Sequence, residues 1–199
     1  MMHPDTRLEW ISDTIGFGVV ATKPIPKGTI TWVQDDLDRV FKPEEPKDFN
    51  PIARDQLEKY SFRNSRGEHI LCWDISKFVN HSFKSNCLST SYNFEVAIRD
   101  IAVGEELTDD YGYLNLSESF TPEDEGVERK VVKPDDTLNL YKEWDKTLSS
   151  LFPLIENLEQ PLFELLSEKS RKEIREVAAG KKQMLSTKNL YCQPEKSRI

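Results

Sequence analysis

One run of alternating residues constrains this chain more than any other feature. Tyr92, Phe94, Val96 and Ile98 alternate with Asn93, Glu95, Ala97 and Arg99. That period of two puts side chains on opposite faces of a β-strand. Val103-Gly104 supplies a turn, and Leu107 to Asp109 supplies a short returning strand. Polar segments flank this ladder, Asn80-His81-Ser82 before it and Thr108-Asp109-Asp110-Tyr111-Gly112 after it. The pattern predicts a site assembled from two separated segments on a β-scaffold.

Upstream, Gly16-Phe17-Gly18 leads into the apolar run Val19-Val20-Ala21, and Pro24, Pro26 and Gly28 then enforce a turn. Proline fixes φ and glycine admits positive φ, so the chain from Ile15 to Val33 is expected to form a β-hairpin-like unit. Ala21, Ile25 and Gly28 share their spacing with Ala97, Ile101 and Gly104. Two readings stay open: two copies of one strand–turn–strand unit packed as a pseudo-symmetric pair, or a coincidence of three positions.

Between these units, Pro43, Pro46 and Pro51 exclude one long helix. Asn50-Pro51 supplies an N-cap and first-turn pair for a short helix through Lys59. Ile70 to Trp73 is strand-like. After Tyr113 the character changes. Leu114 to Pro134, with Glu123-Asp124-Glu125-Gly126, reads as a loop. Pro134-Asp135-Asp136 then opens a helix with an apolar face of Leu138, Tyr141, Trp144, Leu148 and Leu151, which Pro153 is expected to stop. Two further helices follow, one after Pro161 and one opening at Ser170, with Ser170 and Glu173 as a capping box and Gly180 as the C-terminal cap. Beyond Lys181 the chain is expected to fray.

Charge and composition exclude several function classes. The 199 residues carry a formal net charge of -8, whereas phosphate-backbone binding needs concentrated Lys and Arg. No nucleic-acid partner is therefore expected. No apolar run approaches the ~20 residues that span a bilayer, and the N-terminus lacks a basic, then apolar, leader. No membrane partner is expected, and the chain reads as intracellular (cytoplasmic, or nuclear in a eukaryote). Cys72, Cys87 and Cys192 form no CxxC pattern, which fits a reducing compartment and gives zinc no support. GxSxG, a glycine-lysine phosphate loop and HExxH are all missing. The only histidines are His3, His69 and His81.

Taken one by one, the polar motifs read as ordinary packing or strand ends. Their joint order does not. Gly16-Phe17-Gly18, then Asn80-His81-Ser82 with Asn86, then Gly104-Glu105-Glu106-Leu107-Thr108 with Asp110-Tyr111-Gly112 strongly resembles the SET domain of protein lysine methyltransferases. The resemblance covers roughly residues 8–115 and implies a mainly β fold, a β-clip of small curved sheets with the closing segment threaded as a pseudoknot. An α-helical C-terminal extension would follow. The implied divisions are 5–116 for the SET domain, 117–134 for an acidic linker, 135–185 for the helical extension and 186–199 for a tail.

By the same resemblance, the cofactor is S-adenosylmethionine, bound by Gly16, Phe17, Gly18, Asn80, His81 and Tyr111. Tyr111 is the expected catalytic residue, at the point where methyl group and amine meet. Tyr113 and Asp109 are expected along the substrate channel. The implied substrate is a protein lysine, with a basic tail one fitting form. Two departures stand out. Relatives often carry a cysteine-rich segment after the closing motif that holds zinc, but Ser117 to Lys130 contains neither cysteine nor histidine, so no zinc is expected. A replacement cover is then required, and the helix bearing Trp144 is the expected lid. Many relatives also have an aromatic at the position of Asp109. A different class of reading is a degenerate SET module that binds proteins with little or no catalysis.

Overall fold

The computed structural model describes residues 1–192; residues 193–199 of the expected tail lie outside the described residues. Its elements run β1 (Thr6–Ser12), β2 (Gly16–Ala21), β3 (Ile30–Val33), β4 (Arg39–Phe41), α1 (Pro51–Tyr60), β5 (Ser61–Arg63), β6 (His69–Leu71), β7 (Asn80–His81), β8 (Cys87–Ser89), β9 (Phe94–Ala97), β10 (Glu106–Asp109), α2 (Asp136–Ser149), α3 (Phe152–Ile155) and α4 (Glu168–Ala178). The strands make three small sheets, ordered β1-β2-β10-β7, β3-β9-β8 and β4-β6-β5.

The expected hairpin over Ile15 to Val33 does not form. β2 pairs antiparallel with β1, while β3 pairs with β9 in another sheet. The Pro24–Gly28 turn instead passes the chain from one sheet to the next, because proline lacks the N–H needed to continue a ladder. The internal echo explains the exchange. Each strand–turn–strand unit pairs with the other: β10 lies on β2 as β3 lies on β9. Ile25 and Ile101 bond reciprocally at 2.9 Å, on the pseudo-axis. Gly28 N–H donates to Ala97 O at 2.8 Å, and Gly104 N–H donates to Ala21 O at 2.8 Å. Ala97 N–H reaches Thr29 O and Ala21 N–H reaches Glu105 O, each at 2.9 Å. Both glycines hold positive φ, +92° at Gly28 and +78° at Gly104, so both turns require glycine for one reason. The repeat is structural.

The sequence signals for α1 hold locally. The Asn50 side chain accepts from Ile52 N–H at 3.0 Å, with proline in the first turn. Later elements shift. α2 buries Trp144 and Leu148 of the expected face, with Tyr141 half-buried and Leu151 buried just beyond the helix; the departure is in the first turn, where Thr137 is buried and Leu138 is exposed. Pro153 does not end α2, which stops at Ser149; it sits in the first turn of α3, where its missing N–H costs nothing. A 3-10 turn at Phe163–Leu165 follows Pro161. The cap of α4 is Ser167, not Ser170: its side chain accepts from Ser170 N–H at 3.0 Å. Gly180, φ +68°, follows the helix in the left-handed conformation expected of a C-terminal cap.

Two apolar clusters form the core. One gathers Val19, Ala21, Ile25, Ile101 and Leu107 around the paired turns. The other joins Val33, Phe94 and Val96 to Leu148, Leu151, Phe152 and Ile174 of the helices. The chain after Lys181 does not fray within the described residues. Thr187, 1% exposed, donates from N–H and hydroxyl to Asp145 at 2.7 and 2.8 Å. Leu185 N–H donates to the Tyr92 hydroxyl at 2.9 Å, and Asn115 bonds both Leu190 O and Cys192 N–H at 2.8 Å. Among the described residues, no helix is long and apolar enough to cross a membrane.

Candidate active site

β10 is the hinge of the site. Its first half pairs with β2, and its second half runs parallel to β7, with Thr108 opposite Asn80 and Asp109 opposite His81. One four-residue strand therefore places the Gly16-Phe17-Gly18, Asn80-His81 and Asp110-Tyr111-Gly112 segments beside one another. Residues far apart in sequence become neighbours through backbone pairing alone.

On one side, the Asn80 amide donates to Phe17 O at 3.0 Å and to Glu106 Oε1 at 2.7 Å. Gly18 has no room for a side chain: a Cβ there would lie 2.2 Å from Glu106 Oε1 and 2.7 Å from Ile11 Cγ1. His81 Nδ1 accepts from Tyr111 N–H at 3.1 Å, which leaves the proton of a neutral ring on Nε2. Burial pushes the His81 pKa down and favours that neutral form. The Nε2 atom is buried without a partner among the described residues. Phe83, Tyr111 and Phe120 surround the ring, with centroids 4.6, 5.4 and 5.9 Å away.

On the other side of Tyr111 lies a cavity of about 160 Å³, lined by Trp32, Tyr60, Phe62, Val79 and Ser89 together with Glu95, Asp109 and Tyr111. It is smaller than the ~300–1,000 Å³ of typical small-molecule clefts and suits a slender side chain. The Tyr111 hydroxyl donates to Val79 O at 2.7 Å. Burial, reinforced by the nearby Asp109 and Glu95, holds the phenol pKa well above its usual value, so it stays protonated. Asp109 is 2% exposed, and burial next to Glu95 raises its carboxyl pKa well above the ordinary range. Burial likewise pushes Glu95 up to about 7.

Of the expected site residues, Gly16, Phe17, Gly18, Asn80, His81 and Tyr111 come together, and Asp109 lines the cavity. Tyr113 does not line it. Its ring packs on Trp144 at 5.2 Å, and its hydroxyl accepts from Ser89 N–H at 3.0 Å. Tyr113 instead borders an adjoining cleft with Arg63, Leu185, Asn189 and Leu190. The lid expected from Trp144 is thus displaced: Trp144 supports Tyr113 from behind, and the 185–190 segment borders the cleft.

Three contributors were not legible as site residues. Glu95 belongs to the alternating strand, and nothing in its alternation marks an acid facing a cavity. Glu125, in the acidic loop, accepts from the Ser82 hydroxyl at 3.0 Å and from Phe83 and Lys84 N–H at 3.3 Å. Arg129 bridges Asp110 and Asp136, each at 2.6 Å, and its guanidinium lies 4.8 Å from the Phe83 ring centroid. A Cβ on Gly112 would come within 2.7 Å of this guanidinium. The loop that lacks cysteine is therefore fastened by one ion pair to the closing motif and by another to the start of α2. Among the described residues, no group of three or more His, Cys, Asp or Glu could hold a metal ion.

Comparison with known proteins places this arrangement. Residues 16–112 match the family model of the SET domain. A crystal structure of a candidate histone methyltransferase from Plasmodium falciparum is similar over 55% of this chain and 95% of its own, at a TM-score of 0.41 and 18% identity. A search of the curated proteins gives no match. The matched residues run from the first glycine of the β2 segment to the glycine that follows Tyr111, so the likeness to the SET domain takes in all three motif segments.

Proposed function

We propose that this protein is an S-adenosylmethionine-dependent protein lysine methyltransferase. One observation carries the reading: Tyr111 belongs to both halves of the site. Its backbone N–H holds the His81 ring, and its side chain lines the cavity. A methyl donor held beside Asn80 and His81 and an amine in the cavity would meet at this residue.

The residues present fit the donor. The open backbone at Gly16, the buried and unpartnered His81 Nε2 and the Asn80 side chain that holds Phe17 O together offer a cradle for a group with amino-acid and nucleoside parts. When bound, the donor supplies an electrophilic methyl group on a sulfonium. The rest falls to the chain itself. Phe17, Asn80 and His81 hold the donor side, and Tyr111 orients the amine lone pair while its own high pKa keeps it from competing as a nucleophile. Aromatic walls from Trp32, Tyr60 and Phe62 exclude water and depress the lysine pKa. That depression matters, because neutralising a free lysine at pH 7.4 costs about 4 kcal/mol. The substrate is a protein with an accessible lysine. The closing segment, read as a pseudoknot, keeps Tyr111 fixed between the two halves, and the helical extension of 135–185 supports it through Trp144 and Tyr113.

Calorimetry with S-adenosylmethionine, followed by labelled-methyl transfer to core histones and to a cell lysate, tests this reading. Donor binding and label on lysine are expected. Tyr111→Phe should keep the melting temperature within a few degrees and lower transfer at least about a hundredfold. Unchanged transfer in that variant would remove Tyr111 from the mechanism, and absence of donor binding would leave a protein-binding module.

A further inference from the structure

Glu95 and Asp109 are an unusual pair. They come from different strands, both line the cavity beside Tyr111, and they lie within hydrogen-bonding reach of each other. Asp109 is buried and Glu95 half-buried, and carboxylates so placed are ordinarily paired with a cation. Among the described residues, neither forms an ion pair; their other contacts are the Ser89 hydroxyl to Glu95 at 3.3 Å and the Asp110 N–H to Asp109 at 2.9 Å. A second observation is independent of the acids. Trp32, 5% exposed, lines the same cavity, and its indole Nε1 has no partner among the described residues. A wall that leaves a buried indole donor without a protein partner and two acids without a cation is built to meet a polar guest.

The shape of the site selects that guest. Aromatic rings from Trp32, Tyr60, Phe62 and Tyr111 suit a cation through their π-faces. A volume of about 160 Å³ suits an extended side chain. An ammonium offers the acids three N–H donors; a guanidinium is flat and does not give up a proton.

We propose that Glu95 and Asp109 receive the primary ammonium of the substrate lysine and take up its proton. The proposal rests on the methyltransferase reading above and assigns its proton acceptor. Before the step the pair shares one proton and one negative charge, because two like charges so close do not both ionise. One N–H bond of the ammonium breaks, one O–H bond forms on the pair, and the nitrogen keeps the electron pair. The ammonium becomes a neutral amine and the pair a neutral diacid, so the charges cancel where they stand. Burial favours this direction, since it penalises both charged partners. The pair returns its extra proton to solvent when the cavity empties. The groups that set its titration are Asp110 (tied to Arg129), the Ser89 hydroxyl and the Met1 amine, and the pair in turn raises the Tyr111 phenol and the Cys87 thiol. Glu58, Lys59 and Lys77 also line the cavity.

The test uses the whole protein, carboxyl-labelled for carbon NMR, with n-butylammonium as the probe. The Glu95 and Asp109 signals should titrate above the ordinary carboxylate range and move when the probe is added at pH 8. Glu95→Gln and Asp109→Asn should each weaken probe binding at least tenfold, and N,N,N-trimethylbutylammonium, which lacks N–H donors, should bind at least tenfold more weakly. If either variant unfolds, the wild-type carboxyl titration with and without probe decides the matter. Carboxyl signals that ignore the probe, or equal probe affinity in wild type and variants, would overturn the proposal. Calorimetry with S-adenosylmethionine on the same sample keeps the two readings apart. Donor binding without a carboxyl response removes the acid pair alone, and a carboxyl response without donor binding removes the methyltransferase reading alone.

Discussion

The two strand–turn–strand units share their backbone and differ in what covers them. Around Gly28, a Cβ would meet Leu154 Cβ at 2.8 Å, and Gln160 donates to Gly28 O at 2.9 Å while accepting from Ile30 N–H at 2.8 Å. The first turn is sealed beneath α3. Around Gly104, nothing lies within 4 Å of such a Cβ. The second turn is open, and its return strand leads to Asp109 and Tyr111. The facing pairs differ in the same way. Leu107 opposite Val19 is fully buried and apolar, whereas Trp32 opposite Glu95 brings a carboxyl to the cavity. A β-bulge between Ile30 and Trp32 marks where the symmetry ends. One copy serves as scaffold and the other carries chemistry, and the second is pinned by charge where the first is pinned by packing.

Breaking the charge pin gives the largest expected effect. Arg129→Ala leaves Asp110 and Asp136, 5% and 6% exposed, without their cation. Loss of one partner of a buried ion pair typically costs about 3–5 kcal/mol. Urea denaturation should show that loss; a change below about 1 kcal/mol would mean that packing holds both units.

Next comes the pH dependence of stability. The Glu95 pKa rises from 4.5 to about 7 on folding. Below the lower value both states are protonated, and no stability is lost. As pH climbs through that window the unfolded chain ionises first, so the folded state loses stability, on the order of 3 kcal/mol for such a shift. Glu95→Gln should flatten the fall between pH 5 and 8 in thermal melts, and Val19→Ala should not. An equal slope in wild type and Glu95→Gln would put the acid in contact with water.

The glycines give the finest comparison. Alanine at positive φ costs about 1–2 kcal/mol, and overpacking adds typically 1–3 kcal/mol. Gly104→Ala should therefore cost about 1 kcal/mol and Gly28→Ala about 3 kcal/mol. Equal costs in chemical denaturation would show that α3 yields at Leu154.

Local rules in the sequence were reliable where one segment suffices. Alternation predicted β9, Asn50-Pro51 predicted the start of α1, and Gly28 and Gly104 predicted two turns, because these depend on φ, on caps and on side-chain period. The cap of α4 moved to Ser167, since two serines, Ser167 and Ser170, compete there and packing of Ile174 chooses the register. The supposed hairpin failed because a strand's partner is set by long-range pairing, which no local propensity encodes.

The motif order likewise identified Asn80, His81 and Tyr111 as a group, but not what stands around them. By itself the sequence determined the residue types, the strand period, the two equivalent turns and the family those motifs resemble. Only the tertiary structure exchanged the strands between units, withdrew Tyr113 to a place under Trp144, fastened the closing loop through Arg129 and brought Glu95 against Asp109. Those outcomes depend on which buried surfaces meet, and burial is what turns two ordinary carboxyls into a pair able to hold a proton.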